Sequence, residues 1–120
     1  MSIRRVVPDI KSRLLEQSRA FYVDFLGLKV AMDMGFVITF VSPSNPTAQL
    51  SVVLDDGTAT PLPNVSVEVA NVDEVHARAV ERGLEIVYPL TDEPWGVRRF
   101  FVVDPNGIVL NVLSHLPKAN

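Results

Sequence analysis

Residues 64–86, NVSVEVANVDEVHARAVERGLEI, decide the fold. Valine at every second position of 64–70, with polar or acidic residues between, predicts a strand. Asn71 follows as an N-cap, with Glu74 three residues on in capping-box register. Val72, Val75, Ala79 and Val80 then fall at helical spacing, and Gly83 closes a helix over 72–83. LEIVYPL (84–90), VRRFFVVD (97–104) and IVLNVLS (108–114) supply three more strands. The same order stands earlier in the chain. IRRVVPDI (3–10) reads as a strand, and Ser12 as a cap. A helix over 13–26 carries Leu14, Ser18, Phe21, Tyr22 and Phe25 on one face, ending at Gly27. LKVAMDM, FVITFV and QLSVVL are three further β-rich runs. Both helices close in Gly-Leu-charged-aliphatic, GLKV at 27–30 and GLEI at 83–86. Ser42-Pro43 and Asp104-Pro105 each stand seven residues before a polar strand residue, Gln49 and Asn111. This is the signature of an internal duplication. It predicts an α+β domain spanning 1–120, with modules 1–56 and 63–116 joined by a linker at 57–62.

Composition narrows the classes. A chain of 120 residues, 48% hydrophobic and 21% charged, can bury a core and is not a disordered tail. Every apolar run is interrupted well short of the ~18 residues a membrane helix needs, so no membrane association is expected. A net charge of −3 speaks against a nucleic-acid surface, which requires a basic stripe. The absence of cysteine excludes disulfides and thiolate metal sites. MSIRRVVPDIKSR has no apolar signal region, and the expected location is the cytoplasm. There is no Gly-rich phosphate loop, and Ser51 and Ser66 have no histidine at a credible spacing. Catalytic residues are therefore unknown.

Three segments carry a family resemblance: SRAFYVDFLGL (18–28), VEVANVDEVHARAVERGLEI (67–86) and EPWGVRRFFVVDPNGIVLNVL (93–113). In this order and spacing the chain resembles the vicinal oxygen chelate superfamily of glyoxalases, bleomycin-resistance proteins and extradiol dioxygenases. The Pro-Trp-Gly lead-in at 94–96 is similar to bleomycin-resistance-like members. The resemblance implies two βαβββ modules forming a curved sheet around a ligand cavity, often in a homodimer. Metal-using members take one ligand from the first and one from the last strand of each module. Carried over, those positions fall on Val7 (or Arg5, with a two-residue insertion), Gln49, Asn64 and Asn111. None is His, Asp or Glu, and amides without an anionic partner bind transition metals poorly. No metal and no cofactor are expected. His76 is read as a residue beside the apolar stripe, and His115 as a solvated tail residue.

Strand alternation within such a fold selects the candidate ligand-binding residues. Asn64, Ser66 and Glu68 share a face, as do Val109, Asn111 and Leu113, and Gln49, Ser51 and Val53. Asp9 shares the parity of Val7. A two-residue loop at DPNG would set Phe100 opposite Asn111. Arg98, Phe100 and Val102, with their counterparts Phe36, Ile38 and Phe40, would then also face the cavity. Trp95 is placed at the rim. The ligand-binding set is thus Asp9, Phe36, Gln49, Asn64, Glu68, Trp95, Arg98, Phe100 and Asn111, with Arg98 as an anchor for anionic groups. The function expected is capture of a small organic ligand (drug, toxin or metabolite) without metal. The alternative is a lyase, isomerase or dioxygenase of the same superfamily, using a displaced metal site or Asp9 or Glu68 as a carboxylate base.

Overall fold

The computed structural model describes residues 2–55 and 61–117. The linker expected at 57–62 lies mostly outside the described residues. Among the described residues, eight strands and two helices follow in the predicted order: β1 (Ile3–Ser12), α1 (Leu15–Arg19) continuing as a π-helical stretch (Ala20–Phe25), β2 (Lys29–Asp33), β3 (Val37–Val41) and β4 (Gln49–Leu54); then β5 (Val65–Val69), α2 (Val72–Glu81), β6 (Ile86–Asp92), β7 (Val97–Val103) and β8 (Val109–His115). The fold is of the α+β class. Two compact units are present, Val7–Leu62 and Pro63–Asn120, and the second also includes Met1–Val6.

The first module orders its strands β2-β3-β4-β1. β1 and β4 are parallel, which a helical crossover permits, and β2, β3 and β4 form an antiparallel meander. Ile38, Phe40 and Val52 are buried, and Leu15, Tyr22, Val23, Leu28 and Leu50 pack on them. The helical face differs from the expected one. Leu26 N donates to Phe21 O at 3.0 Å, an i→i+5 bond that widens the turn. The widened turn brings Tyr22 and Val23 onto the sheet and leaves Phe25 75% exposed. Ser12 Oγ accepts from Leu14 N at the end of the strand rather than capping α1.

The second module orders its strands β5-β8-β7-β6, β5 and β8 being parallel. Ala70 N donates to Ser2 O, which ties the start of β1 to this module. Asn71 caps α2 as its sequence predicts, its side chain accepting from Glu74 N. Val72 and Ala79 are buried against Val69, Phe100, Val102 and Val112, with Val75 beside them. Val80, expected in the same stripe, is exposed because it sits ~100° around the helix from Ala79.

The β7–β8 hairpin determines which residues share a face with Asn111. Val103 pairs with Val109, and Asp104 N donates to Ile108 O, leaving Pro105, Asn106 and Gly107 as a three-residue loop. Gly107 takes φ 80°, the left-handed position that ends this type of loop. Asp104 Oδ1 accepts from the backbone N–H of Asn106 and of Ile108, which locks the turn. Those backbone bonds, that to Ile108 foremost, hold the Asp104 carboxyl below the usual carboxylate range.

Candidate ligand site on the second module

With one loop residue more than expected, Phe101, not Phe100, lies opposite Asn111. The parity of β7 is inverted. Phe100 is fully buried on the α2 face, its ring edge-on to His76 with centroids 4.9 Å apart. Arg98 points the same way, donating to Asp92 through Nε and Nη2 and to Asp73, in the first turn of α2, through Nη1. The hydrogen bond that Arg98 donates to Asp92, and then the charges of Asp73 and Asp92, raise the pKa of Arg98 further. Neither Arg98 nor Phe100 shares the face of Asn111, and the anion anchor expected at Arg98 is a structural ion pair. The same inversion holds in the first module. Thr39 pairs with Ser51 and hydrogen-bonds it at 2.7 Å, while Ile38 and Phe40 pack under the helix. Phe36 has the parity of Ile38 and is exposed just before β3. Asp9, in register with Ser51, shares the face of Thr39, as does Gln49 opposite Val41.

The face of the second module that carries Asn111 is built in lateral rows. In the first, Ser66, Asn111, Phe101 and Tyr88 stand side by side across β5, β8, β7 and β6. In the second stand Glu68, Leu113, Arg99 and Thr91. His115 and Val97 form a third at the end of the sheet. The rings of Tyr88 and Phe101 lie 4.7 Å apart, and the Arg99 guanidinium sits 4.9–5.2 Å from the rings of Phe101, Trp95 and Tyr88. Arg99 is also bound to Glu93 at 2.6 Å, and Tyr88 donates its hydroxyl to the same carboxylate at 3.0 Å. The Glu93 side chain is only 8% exposed, so this pair is largely sheltered from water. Trp95 lies at the exposed margin, where its place in the Pro-Trp-Gly turn puts it.

Asn111 is 8% exposed. Its Nδ2 donates to Ser66 Oγ at 3.1 Å, and its Oδ1 is buried with no partner among the described residues. A buried amide oxygen without a donor is costly and marks a place where a ligand group can be received. Asn64 is engaged differently, its Oδ1 accepting from Val109 N at 3.1 Å. Glu68 is the centre of an ionic row. Arg5 Nε donates to Oε1 at 2.6 Å, and His115 Nδ1 lies 3.0 Å from Oε2. Burial raises the Glu68 pKa, but the hydrogen bonds from Arg5 and His115 and their charges outweigh it and leave the carboxyl below its ordinary value.

This donor set does not fit a divalent metal. Val7 is apolar and buried, Gln49 Nε2 donates to Pro46 O, and the oxygen of Asn64 is held by the backbone. Glu68 is taken by Arg5 and His115. Among the described residues no three of His, Cys, Asp and Glu converge. The sequence reading missed Arg99, Phe101, Tyr88, Glu93 and His115. For His115 the signal was present, since Asn111, Leu113 and His115 alternate on one face. For the β7 residues it was not, because the loop length that sets their parity depends on Gly107 adopting positive φ.

Residues 9–112 match the model of the Glyoxalase/Bleomycin resistance protein/Dioxygenase superfamily, and the chain belongs to that superfamily. Among solved structures it is similar to a glyoxalase/bleomycin resistance protein/dioxygenase superfamily member from Vibrio splendidus 12B01 (17% identity, TM-score 0.71, covering 94% of this chain and 99% of that one). It is likewise similar to a Legionella pneumophila protein described as an NAD-dependent benzaldehyde dehydrogenase (20% identity, TM-score 0.72, 92% and 98%). A homoprotocatechuate 2,3-dioxygenase from Brevibacterium fuscum matches at 22% identity and TM-score 0.69, over 99% of this chain but 34% of that larger one. At such identities the likeness is one of fold. No curated protein matches the sequence.

Proposed function

We propose that the chain binds a small, flat organic ligand (a drug, toxin or metabolite) on the second-module face that carries Asn111, without a divalent metal. The observation that carries this reading is the Oδ1 of Asn111, which has no partner among the described residues and is buried in the same row as the Phe101 and Tyr88 rings. Aromatic walls supply stacking and a buried acceptor supplies orientation, the usual division of labour in small-molecule sites. The engaged amides and the paired Glu68 argue against the metal-dependent alternatives. A titration of the protein with flat aromatic compounds, read by the fluorescence of Trp95, the one tryptophan in the sequence, tests the reading. Saturable quenching is expected. Calorimetric titration with Mn, Fe, Ni or Zn ions should show no tight stoichiometric binding, and tight binding would overturn the metal-free part. We further propose a homodimer, supported by Phe21 and Phe25, whose rings lie 5.1 Å apart on the exposed side of the first helix.

A further inference from the structure

Arg5, Glu68 and His115 form a row across β1, β5 and β8, and its terminal member is an imidazole. The His115 side chain is 56% exposed, whereas Glu68 is 15% exposed. The depressed pKa of Glu68 keeps it an anion, which can only accept. Nδ1 of His115 must therefore carry the hydrogen of the 3.0 Å contact. In the neutral ring that leaves the lone pair on Nε2, directed away from Glu68. A carboxylate fixing one ring nitrogen so that the other can take a proton is the arrangement by which imidazoles serve as general bases.

The cations of this face are already paired, Arg5 with Glu68 and Arg99 with Glu93. Asn111 Oδ1, buried in the row of Phe101 and Tyr88, and Nε2 of His115 at the open end are both acceptors. Such a face selects a ligand that brings hydrogen-bond donors, not one that brings an anion. We infer that Glu68–His115 is an acid–base dyad, and that the ligand is an aromatic compound with an ionisable hydroxyl whose proton His115 accepts. The step balances within the pair. The O–H bond breaks, its electron pair stays on the phenolate oxygen, and an N–H bond forms at Nε2 to give an imidazolium. That imidazolium is held by Glu68 through Nδ1, and nothing is oxidised or reduced. Among the described residues, the neighbouring strand brings no free cation to His115. β7 sets Val97 opposite it, Arg99 is held by Glu93, and Arg98 lies on the other face. The inference rests on the binding reading above for its ligand, but the dyad itself does not.

The test uses para-nitrophenol, whose phenolate absorbs visibly, with Trp95 quenching as a separate measure of binding. On the wild-type protein the bound probe should be about tenfold more ionised than free probe at the same pH. His115→Gln should still quench but lose the extra ionisation. Glu68→Ala should reduce it, with the folded state checked by circular dichroism. Independently, nitrogen-15 NMR of the free protein should find neutral His115 as the Nδ1–H tautomer, reverting to the commoner Nε2–H form in Glu68→Ala. Extra ionisation that survives in His115→Gln would overturn the dyad as base. Quenching without extra ionisation would do the same and leave the binding reading standing. Absence of quenching would overturn the binding reading for this ligand class. The dyad would then be refuted by an Nε2–H tautomer in the wild-type protein and upheld by Nδ1–H.

Discussion

Arg98 and Arg99 are adjacent and chemically identical, yet they serve opposite faces of one strand. Arg98 joins Asp92 to Asp73 at the start of α2, while Arg99 sits among three aromatic rings beside a sheltered carboxylate. The consequence for binding is direct. Arg98→Ala should leave the affinity for aromatic ligands unchanged, because its side chain does not share their face. Trp95→Ala should weaken them about tenfold, as stacking contributes ~0.5–1.5 kcal/mol and some apolar burial is lost as well. Paired fluorescence and calorimetric titrations of the two variants check this, with calorimetry needed where the tryptophan is gone. A loss on Arg98→Ala equal to that on Trp95→Ala would place the ligand on the helix face instead. The identity of each residue was legible in the sequence, but its direction was not.

At the scale of elements, two kinds of local signal behaved differently. Asn71 with Glu74 fixes the start of α2 through contacts only three residues apart, so it could be read directly. The β7–β8 loop is equally local, but its length depends on whether residue 107 adopts positive φ, and DPNG is compatible with two-residue and three-residue loops. The choice moves every β7 side chain to the other face. Gly107→Val should therefore cost about 1–2 kcal/mol, the usual penalty for a side chain in the left-handed region. Urea denaturation is the measurement, and a midpoint equal to that of the wild type would mean that the loop is not held as described. The first helix was misread for a related reason. Its π-helical stretch changes which residues align, and no 3.6-residue template reports that.

At the scale of the whole molecule, carboxylates held by cationic partners or by backbone donors make the fold acid-sensitive. Asp33 is held low by its hydrogen bond from Arg19, Asp92 by that from Arg98 and Asp104 by backbone donors, while at Glu68 the bonds from Arg5 and His115 outweigh burial. Each folded pKa lies below its unfolded value, so the stabilisation is complete above pH ~4–5 and is lost as the pH falls through the folded values. Thermal melts should show a flat midpoint above pH ~5 and a decline below ~4, shallower in Glu68→Gln than in the wild type. Equal declines would remove Glu68 from the account. Light scattering at micromolar concentration should give a mass of two 13.2 kDa chains, and Phe25→Asp should shift it toward one. A monomeric wild type would refute the dimer.

The order of elements, its recurrence, the superfamily and the shared face of Asn64, Ser66, Glu68 and Asn111 were legible in the sequence, because period-two and helical patterning are local properties of the chain. Only the tertiary structure decided that Phe101 and Arg99 join Asn111 while Phe100 and Arg98 turn to the helix, and that His115 meets a carboxylate 47 positions away. Those outcomes depend on strand register and loop length. They follow from how neighbouring strands pair, and no single segment encodes them.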